Sequence, residues 1–207
     1  MKNNVNYSLY LVTDREMLVD TDIYTAVEEA IKGGVTLVQL REKNLSTLEF
    51  YNIASKIKTV TDKYKIPLII NDRIDIALSI DAAGVHLGQS DMPAGVARSI
   101  IGNDKIIGIS TSTLKEAKKA EREGADYVGV GAMFPTTTKD DASAVTVNCL
   151  KEIKDNISIP VVAIGGITEK NVDLLKITNI DGVAVISDIL GKKCVKASAA
   201  KLCFSMK

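Results

Sequence analysis

Short apolar runs and longer amphipathic segments alternate along the whole chain, eight of each. The runs are YSLYLVT (7–13), TLVQLR (36–41), IPLIIN (66–71), AGVHLG (83–88), KIIGIS (105–110), YVGVGAM (127–133), IPVVAIGG (159–166) and GVAVIS (182–187). Near-continuous, β-branched runs of this length suit parallel strands covered on both faces. Between them, Phe50, Ile53, Ala54 and Ile57 recur at helical spacing behind a Ser46/Glu49 capping-box pattern. Ile23, Val27, Ala30 and Ile31 keep similar spacing ahead of Gly33-Gly34, a helix stop. LKEAKKAEREG (114–124) mixes charge signs and reads as a solvated helix face ending at Gly124. KKCVKASAAKLCF (192–204) is the last helical segment.

Eight units in 207 residues leave about 26 residues each, short but workable for an eightfold strand–helix barrel. An open doubly wound sheet needs fewer strands and a glycine-rich first turn. Here the first run ends LVTDREM, and glycines cluster at runs six and seven. The expected fold is a single-domain α/β (β/α)₈ TIM barrel over residues 1–207. In that architecture the active site forms where the strands end, so the residues just past each run carry the functional information.

Run two ends QLREK, and alternation puts Gln39, Arg41 and Lys43 on one side, at the barrel interior or its rim. Alone they read as ordinary surface charges. Runs three and four place Asp72 and Asp91 just beyond their ends. Two such carboxylates suit Mg²⁺, which takes one or two protein oxygens and leaves the rest to water and phosphate. Helix N-capping is the competing reading, above all for Asp91 near Pro93. Ser110 ends run five, PTTTK (135–139) follows run six, GGI (165–167) follows run seven and Ser187 ends run eight. Gly165-Gly166 lets backbone N–H groups approach an anion where the next helix starts. PTTTK offers hydroxyls, N–H groups and a point charge, the parts of a phosphate cradle, although a surface turn explains the loop equally well by itself. Together, these ends predict a diphosphate with Mg²⁺ near strands two to six and a monophosphate near strands seven and eight.

Lys plus Arg and Asp plus Glu are both 26, so the formal net charge is zero and no broad nucleic-acid or membrane surface is expected. Cys149, Cys194 and Cys203 show no CxxC spacing, which fits reduced thiols in a cytoplasmic protein. MKNNVNYSLYLVTD lacks the apolar stretch of a signal peptide. His86 is the only histidine, sits inside an apolar run, and reads as a hydrogen-bonded strand residue. No Ser/His/Asp or Cys/His set can be assembled around the strand ends. A cation-rich, base-poor site suits departure of diphosphate, where catalysis is charge stabilisation and positioning.

The ordered set YLVTD, VQLREK, IINDR, GVHLGQSD, IIGIS, ADYVGVGAMFPTTTK, PVVAIGGI and GVAVIS resembles the thiamine phosphate synthase family over nearly the whole chain. The resemblance implies a (β/α)₈ barrel joining 4-amino-5-hydroxymethyl-2-methylpyrimidine diphosphate to 4-methyl-5-(2-hydroxyethyl)thiazole phosphate, with diphosphate leaving before the thiazole nitrogen captures a pyrimidine methyl cation. It implies that Gln39, Leu40, Arg41, Glu42 and Lys43, with Asn71, Ser110 and Lys139, hold the pyrimidine diphosphate. Asp72 and Asp91 would coordinate Mg²⁺. Thr136, Thr137, Thr138, Gly166, Ile186 and Ser187 would face the thiazole phosphate, and Lys139, Ser110 and Arg41 are expected to carry catalysis. The partners expected are small phosphorylated molecules, with an oligomer possible. Two departures stand out: Ser112 occupies a position where many relatives have histidine, and Asp140 and Asp141 follow Lys139. The Ser112 departure implies slower turnover, and it also counts against a sister thiazole tautomerase. A non-catalytic barrel binding thiamine-related phosphates is the third reading.

Overall fold

The computed structural model describes residues 5–136 and 144–205. Strands β1 (Leu9–Val12), β2 (Leu37–Leu40), β3 (Leu68–Asn71), β4 (Gly84–Leu87), β5 (Ile106–Thr111), β6 (Tyr127–Val130), β7 (Val161–Ile164) and β8 (Gly182–Val185) pair in chain order, all parallel, and β8 pairs with β1 to close a barrel. The helices are α1 (Ile23–Lys32), α2 (Thr47–Lys63), α3 (Ile74–Ser79), α4 (Ala94–Ile101), α5 (Leu114–Arg122), α6 (Val147–Asn156), α7 (Ser187–Leu190) and α8 (Val195–Ser205). The expected (β/α)₈ architecture is the observed one.

Local chemistry sets the helix ends. Ser46 Oγ accepts from the Glu49 N–H while the Glu49 carboxylate accepts from the Ser46 N–H at 3.0 Å, the reciprocal cap expected for α2. Asp22 caps α1, and Gly34, at φ +110°, turns the chain out of it. The segment after β7 departs from the α-helical expectation: Val172–Thr178 is a 3₁₀ helix. Its buried residues Val172, Leu175 and Thr178 recur every three positions, which a three-residue turn stacks on one line.

Two cores result from strand alternation. Leu11, Val38, Leu40, Ile70, Val85 and Val128 pack outward against the helices. Tyr10, Leu37, Ile69, Ile106, Tyr127 and Val162 fill the barrel itself. Gly108 makes this possible, because a Cβ there would overlap the Tyr127 ring. One step further along the strands the inward positions turn polar, with Gln39, Asn71, His86 and Ser110, so the aromatic layer forms a floor beneath a polar mouth.

The opposite rim is held by Arg98, whose guanidinium donates to the carbonyls of Gly102, Lys105 and Gly124 and to Asp126 at 2.5 Å. Breaking a largely buried charge network of this kind costs about 3 kcal/mol. Arg98→Ala should therefore lower Tm by roughly 6–12 °C while leaving kcat unchanged, as thermal melts beside initial rates would show. Among the described residues no helix is long and apolar enough to cross a membrane.

Candidate active site

A cavity of about 430 Å³ opens at the C-terminal ends of the strands. Gln39, Arg41, Lys43, Asn71, Asp72, Asp91, Ser110, Thr136, Gly166, Ile186 and Ser187 all line it. Two predicted residues do not. Leu40 points into the core between sheet and helices, because it alternates with Gln39 on β2. Glu42 turns aside to pair with Arg15 at 2.9 Å, on the side opposite Arg41 and Lys43 that alternation gives it. Burial raises the Glu42 carboxyl above its usual range, opposed by Arg15. Thr137, Thr138, Lys139, Asp140 and Asp141 lie outside the described residues.

The two aspartates meet on one wall. Asp72 Oδ2 accepts from Lys43 Nζ at 2.6 Å, and its carboxyl also contacts that of Asp91. Burial raises the Asp72 carboxyl above its usual range; Lys43 opposes the rise and Asp91 adds to it. Neither aspartate caps a helix. Asp91 Oδ2 instead accepts from the Gly88 N–H at 2.7 Å, closing the turn after β4, while α4 starts behind Pro93 with no side-chain cap. The capping alternative is thereby removed for Asp91, and α3 likewise begins at Arg73 without one. Among the described residues no group of three or more His, Cys, Asp or Glu gathers. Two hard carboxylates side by side, already drawing in an ammonium, fit Mg²⁺, whose remaining positions go to water and phosphate oxygens.

Arg41 holds the neighbouring wall. Its backbone N–H donates to Thr13 Oγ1 at 3.0 Å, and its guanidinium lies 3.6 Å from Asp14. Ser110 and His86 form a pair that composition had hidden: Nε2 of His86 lies 2.9 Å from Ser110 Oγ. His86 is thus a hydrogen-bonded strand residue, as its place inside an apolar run predicts. The third member is Tyr127 rather than a carboxylate, 2.9 Å from His86 Nδ1, so the set is not a nucleophilic triad.

Across the cavity the loops after β6 and β7 are tied together. Met133 N–H donates to the Ile164 carbonyl and Phe134 N–H to the Gly165 carbonyl, both at 3.0 Å. Gly165 and Gly166 take φ +98° and +62°, and a Cβ on Gly166 would lie 2.5 Å from the Pro135 carbonyl oxygen. Only glycine fits there. Asn171 Nδ2 donates to the Gly166 carbonyl at 2.9 Å, fixing the peptide. With Ile186 and Ser187 where α7 begins, this side presents backbone rather than charged side chains.

Gln89, Ser90 and Glu116 also line the cavity and were not anticipated as site residues, and Ser112, noted for standing where relatives have histidine, lines it too. Gln89 was quoted within HLGQSD, and its amide donates to the Ser110 carbonyl at 2.7 Å. Ser112 donates to Glu116 from both N–H and Oγ, at 2.7 and 3.1 Å. Glu116 sat in a charged helix that reads as solvent-facing, and no spacing in the sequence reveals its turn toward the mouth.

The chain matches the family profile described as thiamine monophosphate synthase over residues 9–189. It is 60% identical to the thiamine-phosphate synthase of Clostridium tetani over 96% of this chain and 95% of that one. It is 57% identical to the enzyme of the same name from Methanobrevibacter smithii, over 97% and 95% respectively. The solved thiamine phosphate pyrophosphorylase of Pyrococcus furiosus superposes with a TM-score of 0.91 at 40% identity, covering 98% of this chain and 96% of that chain.

Proposed function

Because the chain belongs to the thiamine monophosphate synthase family, it is a transferase that joins a pyrimidine methyl diphosphate to a thiazole phosphate with release of diphosphate, and we propose that both phosphorylated ends are held at the mouth described above. The observation that carries the placement is the split of one cavity into a charged wall and a backbone wall. Arg41, Lys43, Asp72 and Asp91 line the first; Gly165, Gly166 and Ser187 line the second.

On this reading the diphosphate lies along the charged wall. Arg41 and Lys43 bind its oxygens, and the family resemblance assigns Lys139, outside the described residues, the same task. Asp72 and Asp91 would hold Mg²⁺, which supplies neutralisation of the leaving charge. Gln39 and Asn71 orient the pyrimidine, and Ser110 hydrogen-bonds the diphosphate. When the C–O bond breaks, negative charge grows on the departing oxygen, and preorganised donors stabilise it without reorganising. No base is needed to make the thiazole nitrogen a nucleophile, because its own lone pair captures the methyl cation. The thiazole phosphate sits at Gly166, Thr136, Ile186 and Ser187, and the family resemblance assigns Thr137 and Thr138, which lie outside the described residues, to the same group.

The test of the activity is direct. Diphosphate release should require both substrates and Mg²⁺, with thiamine phosphate formed in equal amount. Binding without turnover would favour the non-catalytic reading, and conversion of a thiazole phosphate alone would favour the tautomerase. A Gly166→Ala variant checks the second wall. Its Cβ meets the Phe134 and Pro135 carbonyls at 2.7 and 2.5 Å, and its φ costs about 1–2 kcal/mol. KM for the thiazole phosphate should rise about tenfold or more, while KM for the pyrimidine diphosphate stays within about twofold, as separate saturation curves would show.

A further inference from the structure

We propose that Tyr127 is a positioning residue for this transfer: acting through His86, it keeps the Ser110 hydroxyl free to donate toward the cavity. The proposal rests on the functional reading above and adds a group lying beneath the cavity floor, outside its lining.

Five side chains form one line through the barrel. Gln39 Nε2 donates to Tyr10 OH at 2.8 Å, and Tyr10 OH lies 2.8 Å from Tyr127 OH. Tyr127 OH lies 2.9 Å from His86 Nδ1, and His86 Nε2 lies 2.9 Å from Ser110 Oγ. Gln39, Tyr10, Tyr127 and His86 are all buried. An amide NH₂ can only donate, so the first bond sets the direction of the others. Tyr10 accepts from Gln39 and donates to Tyr127. Tyr127 in turn donates to His86 Nδ1. The imidazole is then the neutral Nε2–H tautomer, which donates to Ser110 Oγ. Ser110 has become an acceptor on its inner side, and its own proton is left for the cavity.

The opposite direction fails at one atom. If His86 carried its proton on Nδ1 and Tyr127 donated to Tyr10, the Tyr10 proton would have no acceptor in this line. Tyr10 is only 1% exposed, and an orphaned donor there costs the full desolvation penalty. Burial also keeps both tyrosines protonated, holding each well above the ordinary phenol range. The line therefore couples two residues placed on the pyrimidine diphosphate, Gln39 and Ser110, through aromatic residues of the core. A Ser110 proton aimed at the cavity is a donor ready where leaving-group charge develops.

His86 is the only histidine, so its ¹⁵N NMR spectrum has one imidazole to assign. At neutral pH the parent protein should show the Nε2–H tautomer. In Tyr127→Phe that tautomer should no longer dominate, kcat should fall about tenfold, and KM for the pyrimidine diphosphate should stay within about twofold. Introduced into Ser110→Ala, the same change should cost little more, because its target is gone. Should Tyr127→Phe not fold, Tyr10→Phe cuts the line one step earlier with the same readouts. An Nδ1–H tautomer in the parent protein, an undiminished kcat in Tyr127→Phe, or independent, multiplying losses in the double variant overturns the proposal. Absence of turnover by the parent with both substrates would instead defeat the functional reading, and the tautomer would still decide the direction of the line.

Discussion

Asp91→Asn should reduce turnover by about a hundredfold at limiting Mg²⁺, with part of the loss recovered as Mg²⁺ is raised. Asparagine keeps an oxygen to accept from the Gly88 N–H, so the turn after β4 survives and the melting temperature should hardly move. What disappears is one of the two carboxylates that meet on this wall. Asp72 alone gives Mg²⁺ a single protein anchor, and affinity falls accordingly. Because Mg²⁺ ligands must be deprotonated and the Asp72 carboxyl titrates above its usual range, Mg²⁺ affinity should also weaken as the solution becomes acidic. Titrating Mg²⁺ against initial rate in both proteins, with melts in parallel, checks each part. A variant that merely melts earlier, with its Mg²⁺ dependence unaltered, would return Asp91 to a structural role.

Arg41→Ala carries the second large effect. Arg41 stands at the mouth of β2 with its backbone fixed by Thr13 and its guanidinium near Asp14, so its direction is set before any ligand arrives. Removing a preorganised donor from a site of developing charge typically costs 10²–10³ in kcat, or about 3–4 kcal/mol. The loss should fall on kcat more than on KM, since the interaction strengthens as diphosphate departs. Arg41→Lys should recover only a fraction, because an ammonium cannot reproduce the planar fork that grips two phosphate oxygens. Single-turnover rates at saturating substrates measure this directly. Equal kcat in Arg41→Ala and the parent would remove Arg41 from the chemistry.

How much of this was legible beforehand follows from the geometry of strands. Period-two alternation and the positions where apolar runs stop sufficed for the barrel and for the charged wall of the cavity, with Gln39, Arg41, Lys43 and both aspartates. Glu42 was carried in by resemblance, on the side of β2 opposite the one that alternation assigns to Gln39, Arg41 and Lys43. Leu40 was carried in by resemblance against its own parity. His86 and Ser110 were each visible as residues, but their pairing was not. They belong to adjacent strands, and the register sets His86 opposite Gly108 with Ser110 one inward step higher. That diagonal depends on the stagger of the closed barrel, which no linear spacing records. Glu116 escaped for a related reason, since helical periodicity tells which face is charged but not what stands at the end of a strand beside it.

The most direct measurement is a crystal grown with thiamine phosphate, diphosphate and Mn²⁺ in place of Mg²⁺, read by anomalous scattering. The account predicts a metal peak between Asp72 and Asp91, diphosphate against Arg41 and Lys43, and the product's phosphate against Gly166 and Ser187. Metal bound away from both aspartates, or phosphates settled near Arg98 at the far rim, would contradict it.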